Sequence, residues 1–237
     1  VRIFNLLKEF SKKRHQITLL AGSKENELNV DNPLNKICYK VCLYQLPKQS
    51  KISFIIKSIF SSKPYPALRF QSDSLKTKLA DILKENKFDL IWINFSILAD
   101  IMPKNIIKGT PIVLDQHECE ELVYKDYFYN GRIIEKLSSL INLMKLKKFH
   151  REVYGRFNAI FCVSKEEAQF TKLQVKDNTK ILIVPNGVDE NLFTAGQYSD
   201  NKPNRIILCS NMGVRRNIDA AIWFAKDIFP KIRKKIS

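Results

Sequence analysis

Four short stretches of this sequence hold side chains that could do chemistry, and three of them directly follow an apolar run. The first is Asp115-Gln116-His117-Glu118-Cys119-Glu120-Glu121, after Pro111 to Leu114. A histidine titrates near neutral pH, and beside carboxylates it can move a proton or orient a hydroxyl. The same residues also suit a structural role, with Asp115 or Gln116 capping the next helix and the glutamates favouring its positive N-terminus. His117-Glu118 is not a zinc-protease motif, because Glu121 stands where a second histidine would be needed. The second stretch is Pro185-Asn186-Gly187-Val188-Asp189, after Ile181 to Val184. Asn-Gly readily takes positive φ, so a tight turn is expected there.

The third stretch is Ser210-Asn211-Met212-Gly213-Val214-Arg215-Arg216-Asn217, between an expected strand and an expected helix. Backbone N–H groups at a helix start, together with two arginines, could cradle a phosphate. A capped helix with solvated arginines is the plainer alternative. The Gly-Lys-Ser/Thr ending of a Walker loop is missing. The fourth is the basic run Lys145, Lys147, Lys148, Arg151 and Arg156 on a helix. It is either a solvated face or a patch attracted to an anionic membrane, at about 1 kcal/mol per charge near the headgroups.

These residues need strands to position them, and the hydrophobic pattern supplies strands alternating with helices. Strands are expected at Ile17 to Ala21, Lys36 to Leu43, Leu90 to Ile93, Pro111 to Asp115, Ala159 to Val163, Ile181 to Val184 and Arg205 to Cys209. Helices are expected at Ile3 to Lys13, near Ile52 to Phe60, at Leu68 to Asn86, over Glu118 to Phe157 with an interruption near Asn130-Gly131, and at Asn217 to Lys235. Ser164 with Glu167 three residues on has the form of a capping box. Continuous apolar strands suit a parallel sheet covered on both faces. The alternation argues an α/β, doubly wound parallel sheet, followed after a Gly/Ser/Asp/Asn/Pro-rich linker by the first βα unit of a second such domain. Ligands of such sheets bind at the carboxyl ends of the strands, where the first three stretches lie.

Composition narrows the partners. The chain has 237 residues, with 40 Lys+Arg against 24 Asp+Glu, a net charge of +16. Hydrophobic residues at 45 % and charged residues at 27 % exclude a disordered or low-complexity chain. The basic balance points to a polyanionic partner. Nucleic acid is not favoured, since aromatics are not interleaved with the Lys/Arg and no zinc-finger or RNP pattern appears. Cys38, Cys42, Cys119, Cys162 and Cys209 are scattered, with no CxxC pair and no histidine at ligand spacing. Reduced thiols in a cytoplasmic protein and no metal site are expected. The Asn94-Phe95-Ser96 sequon ends an apolar strand and is read as chance. No apolar run reaches the ~20 residues that span a bilayer.

Taken in order, these segments resemble the GT-B glycosyltransferases of the family 4 type, which serve bacterial polysaccharide assembly. Arg2-Ile3-Phe4-Asn5-Leu6-Leu7-Lys8 looks like the family's first helix, and His15-Gln16-Ile17-Thr18-Leu19-Leu20 its second strand. Asp115-x-His117-Glu118 resembles its D-x-H-[DE] segment, and Phe157 to Glu167 its strand ending in Val-Ser. Val184 to Asp189 with Phe193 is similar to the crossover between the two domains. Ser210-x-Met212 with Asn217 to Ala225 resembles the opening of the donor domain.

The resemblance implies a Rossmann-like acceptor-side domain over 1–190, a linker over 191–204 and the start of a donor domain over 205–237. It implies transfer from a nucleotide-sugar donor to a glycan or lipid-linked acceptor, with retention and without a cofactor or obligatory metal. His117 is implied as the catalytic residue, with Asp115 and Glu118 on the acceptor side. Ser210, Arg216 and Asn217 are implied at the donor phosphates, and Asn186 and Gly187 in the interdomain turn. The low Gly count and Lys/Asn/Ile-rich character suit an AT-rich bacterial source. A cytoplasmic enzyme, peripheral on the inner face of the plasma membrane, is expected.

The chain opens on Val1 and ends within a helical pattern at Ser237. It is therefore read as a fragment without the family's first strand, its glycine-rich loop and the downstream Glu pair, and inactive by itself. The competing expectation is a non-catalytic, basic module that binds an acceptor or a membrane surface.

Overall fold

The computed structural model describes residues 2–23, 32–46, 60–70, 72–103, 109–175, 178–189 and 205–236. The helix expected near Ile52 to Phe60, except its last residue, and the linker 191–204 with Phe193 lie outside the described residues. The chain divides into two units, Val1–Val188 and Asp189–Ser237.

The apolar runs of the first unit become parallel strands. β1 (Thr18–Ser23) pairs with β2 (Lys40–Gln45). β3 (Ile91–Asn94), β4 (Ile112–Gln116), β5 (Ala159–Cys162) and β6 (Lys180–Ile183) form a second sheet in that order. All pairs are parallel, so the α/β class is as expected. The difference lies in the pairing. Among the described residues β1 bonds only to β2 and β3 only to β4, which gives two sheets instead of one.

The helices are α1 (Arg2–Lys12), α2 (Tyr65–Phe70), α3 (Asp73–Glu85), α4 (Glu120–Asn130), α5 (Ile133–Val153) and α6 (Lys165–Lys172). The helix expected over Leu68 to Asn86 is interrupted. Ser72 is extended there, and its hydroxyl accepts from the Leu75 N–H at 3.0 Å as the cap of α3. The long region after Glu118 also breaks, at Gly131 and Arg132. Gly131 passes so close to the Tyr127 carbonyl that a β-carbon would overlap it. Glu135 then accepts from the Arg132 N–H at 2.7 Å and starts α5.

The core lies between the four-stranded sheet and the C-terminal half of α5. Leu114 and Ile160 from the central strands meet Phe149, Val153, Tyr154 and Phe157. On the near edge, Phe10 of α1 meets the Trp92 ring at 5.4 Å, and Trp92 meets Phe161 at 5.1 Å. All five cysteines are free thiols.

In the second unit, residues 205–211 have no sheet partner among the described residues, so the strand expected at Arg205 to Cys209 is not formed there. α7 (Arg215–Trp223) and α8 (Phe229–Ile236) are joined by a π-turn over Phe224–Ile228. Pro230 follows at once. It has no N–H for the carbonyl four residues back, and the widened turn absorbs that loss.

The two faces of α5 set up a contrast. Leu146 is fully buried, whereas Leu137 on the same helix is 64 % exposed. Leu146→Ala is expected to cost about 2–5 kcal/mol of stability and Leu137→Ala about 0.5 kcal/mol or less, read from urea midpoints at unchanged m.

Candidate functional site

Register brings the first site together. Asn94 of β3 lies beside Asp115 of β4 at the carboxyl ends of both strands, and the Phe95 N–H continues the ladder to the Asp115 carbonyl at 3.1 Å. The Asp115 carboxylate is fully buried. Arg2 meets it as a two-pronged fork, Nε to Oδ2 at 3.1 Å and Nη2 to Oδ1 at 2.9 Å. The remaining nitrogen, Nη1, donates to the Pro185 carbonyl at 3.0 Å and to Asn186 Oδ1 at 3.3 Å. One guanidinium thus joins the first turn of α1, the end of β4 and the segment after β6.

His117 completes the arrangement, with its side chain 18 % exposed. Its Nε2 lies 3.2 Å from Asp115 Oδ2 and 3.2 Å from Asn94 Oδ1. Both neighbours are acceptors, so Nε2 carries the proton and Nδ1 is the acceptor nitrogen. Burial pushes the imidazole below its ordinary value of 6.5; Asp115 acts in the opposite sense, and Arg2 adds to the lowering. The Arg2 fork already occupies the carboxylate, which is why desolvation prevails. His117 is therefore neutral at pH 7.

Phe95 packs its ring against His117 at 4.6 Å. It does so from φ +70°, a region costly for a residue with a side chain, on the order of 1–3 kcal/mol. Such strain collects where a side chain must be held in one place.

Behind His117 lies a second, buried cluster. His150 is fully buried and stacked on Tyr154, with ring centroids 4.6 Å apart and planes 10° from parallel. Its Nδ1 sits 2.8 Å from Glu121 Oε1 and its Nε2 3.0 Å from Ser96 Oγ. The Ser96 hydroxyl also reaches Glu120 Oε1 at 2.9 Å, so the imidazole is joined to both carboxylates of the cluster. Tyr154 donates to Gln116 Oε1 at 3.2 Å. Burial raises the Glu120 carboxyl and moves the Cys119 thiol up to about 12, which keeps that thiol protonated.

Neither Asp115 nor Gln116 caps α4; Cys119 stands at that position without a side-chain cap. The Ser164 half of the capping box forms, its hydroxyl accepting from the Glu167 N–H at 3.2 Å. Glu167 turns instead to the Cys119 N–H at 3.2 Å and ties α6 to the site segment.

The candidate residues separate by environment. His117 and Asp115 come together; Glu118 is exposed. Asn186 is engaged by Arg2, and Gly187 is exposed next to it. The tight Asn-Gly turn is not formed, because Gly187 does not take positive φ and residues 184–189 run irregularly along the Arg2 contacts. Nothing local in the sequence marks Arg2, whereas the apolar period through Leu146, Phe149 and Val153 places His150 on the buried side of its helix.

In the second unit Asn211 organises the loop. Its side chain accepts from the Gly213 N–H at 2.9 Å, and its carbonyl accepts from the Val214 N–H at 3.1 Å and Asn217 Nδ2 at 2.9 Å. Ser210 and Arg216 are exposed there, and Arg215 pairs with Asp219 at 3.6 Å. Among the described residues no group of three or more His, Cys, Asp or Glu side chains is placed to hold a metal ion.

A family model for Glycosyltransferase Family 4 matches residues 1–192. No curated protein matches the sequence.

Arg2→Met strands a buried carboxylate and is expected to cost about 3–5 kcal/mol, with the double variant Arg2→Met/Asp115→Leu losing less than the single one in urea unfolding. A second expectation concerns pH. The stability from keeping His117 neutral is present in full above its ordinary value of 6.5, and is lost as pH falls below 6.5 through the depressed folded value. His117→Gln removes that slope, so in stability curves of the two proteins, on acidification below 6.5, wild type loses stability from this site that the variant does not lose.

Proposed function

The chain belongs to glycosyltransferase family 4, and from that premise we propose that it transfers a sugar with retention of anomeric configuration. The donor is a nucleotide sugar and the acceptor a glycan or lipid-linked sugar, in bacterial cell-surface polysaccharide biosynthesis. The observation that supports this most is His117, a neutral imidazole with a fixed tautomer at the carboxyl end of a parallel strand. Its Nδ1 can accept from a sugar hydroxyl while Asp115 and Asn94 hold the ring. Asp115 acts through His117, and exposed Glu118 is the acceptor-side carboxylate.

Residues 1–190 serve the acceptor side, 191–204 link, and 205–237 open the donor side. There the backbone at Ser210, the start of α7 and Arg216 take the donor diphosphate, and Asn217 holds the loop in shape by its bond to Asn211. A cation and a helix N-terminus stabilise the charge that grows on a leaving diphosphate. No cofactor or obligatory metal enters the proposal.

Residues 205–237 contain no glutamate. The spaced Glu pair for donor sugar and ribose has no counterpart there, and residues 1–237 by themselves are expected to turn over no donor. No helix among the described residues is long and apolar enough to cross a membrane. The enzyme is proposed to be cytoplasmic and to lie against the inner face of the plasma membrane, drawn by the basic run on α5.

The test is nucleoside diphosphate release by the whole gene product over a panel of nucleotide sugars, with product configuration read by NMR. His117→Ala is expected to lower turnover at least about 10²-fold, and Arg216→Gln to lower it on the order of 10²-fold. Undiminished turnover in His117→Ala, or an inverted product, overturns the assignment.

A further inference from the structure

α5 is apolar on two opposite faces. One face, with Leu143, Leu146, Phe149 and Val153, is buried in the fold. The other carries Ile133, Ile134, Leu137, Leu140, Ile141 and Met144, all exposed, with Ile133 at 86 %, Leu137 at 64 % and Met144 at 60 %. At about 100° per residue these six fall within an arc of about 120°, centred opposite the buried side. They run for about 17 Å along the helix. Single exposed hydrophobics are ordinary, but a continuous stripe on a solvent-facing helix marks an interaction surface.

Charge decides which partner fits. Toward the C-terminal end the same arc passes into Lys148 and Arg151, flanked by Lys147, and Lys136 borders the stripe near its start. All four are exposed, and Glu152 is the acid at the far margin of that arc. An apolar stripe bordered by cations fits a lipid surface with anionic headgroups: the side chains enter the acyl boundary and the basic groups meet the phosphates. A self-complementary dimer would bring the Lys147, Lys148 and Arg151 cluster of each copy toward the other's surface, where the arc of α5 offers Glu152 alone, at its margin, as a counter-charge. No helix among the described residues, α5 included, is long and apolar enough to cross the bilayer.

We propose that the Ile133–Met144 stripe of α5 is the surface by which this protein inserts shallowly into an anionic membrane, with Lys136, Lys147, Lys148 and Arg151 engaging the headgroups. This rests on, and sharpens, the membrane reading above. It assigns docking to apolar insertion by named residues, where the earlier reading had only attraction of a basic run.

The experiment is sedimentation of the whole protein with vesicles of phosphatidylglycerol and phosphatidylcholine, against vesicles of phosphatidylcholine alone. The variants are Ile133→Ser/Leu137→Ser/Met144→Ser, which keeps the charge, and Lys147→Gln/Lys148→Gln/Arg151→Gln, which keeps the stripe. All these side chains are exposed, and circular dichroism and unfolding midpoints check that each variant is folded. The proposal expects binding to the anionic vesicles only, reduced at least tenfold in the serine variant, with part of the wild-type binding surviving high salt. Binding of the serine variant equal to wild type overturns the stripe assignment and leaves simple electrostatic adsorption. Absence of wild-type binding to anionic vesicles overturns the stripe and the membrane reading together, while the sugar-transfer assay stands apart from both. A wild-type dimer in sedimentation velocity that the serine variant dissolves assigns the stripe to a second copy and overturns the lipid partner.

Discussion

The buried pair between Arg2 and Asp115 is the constraint on which the site depends. A carboxylate with no solvent contact is costly, and a single counter-charge rarely does more than offset that cost. Here the fork geometry satisfies both oxygens, and the third guanidinium nitrogen closes onto Pro185 and Asn186. Two apolar side chains of similar volume would hold these elements together as well. What they could not supply is a fixed acceptor for the His117 proton. The pair is therefore best understood as a means of setting the tautomer and charge of one imidazole.

That imidazole has a counterpart behind it, and three consecutive residues serve both. Asn94 bonds to His117, Phe95 packs on its ring, and Ser96 bonds to His150. The positive φ at Phe95 lies between the two contacts. A relaxed backbone would turn Phe95 off the imidazole or Ser96 off the inner cluster. The strain is held because Ser96 is fully buried and engaged by both His150 and Glu120. The two histidines also show how environment divides one residue type. His117 is partly open at a strand end, whereas His150 is enclosed between Glu121, Ser96 and the Tyr154 ring.

Much of this was legible from residue order. Continuous apolar runs at Ile91, Ile112 and Ala159 led to parallel strands, because strands covered on both faces need no polar alternation. The strand-end rule led to Asp115 and His117. What the sequence could not show was long-range pairing. Arg2 reads as one more cation on an amphipathic helix, and nothing local says that it reaches a carboxylate 113 positions away. His150 sits in a run of lysines, which hides its burial. The Asn-Gly pair failed for a related reason: Arg2 claims Asn186, and that tertiary contact overrides the local preference for a turn. The Asn94-Phe95-Ser96 triplet matches a glycosylation pattern, yet Ser96 faces the interior and Asn94 faces His117, so the match is accidental.

The composition of α5 is best explained by a partner outside this fold. Its buried face alone suffices to anchor it to the sheet. Lysine and glutamate form helices as readily as leucine, and better than isoleucine, so the exposed Ile133, Ile134, Leu137, Leu140, Ile141 and Met144 do not serve helix formation. They add nothing to the core and work against solubility. The helix also has cations enough to be soluble, but Lys147, Lys148 and Arg151 lie past the C-terminal end of the stripe and Lys136 at its border, and none falls within it. An apolar arc with basic residues at its end and border suits the anionic surface proposed above, because long Lys and Arg stems can lie along the apolar boundary while their heads reach the headgroups. Selection for solubility or for helix stability would have mixed the two.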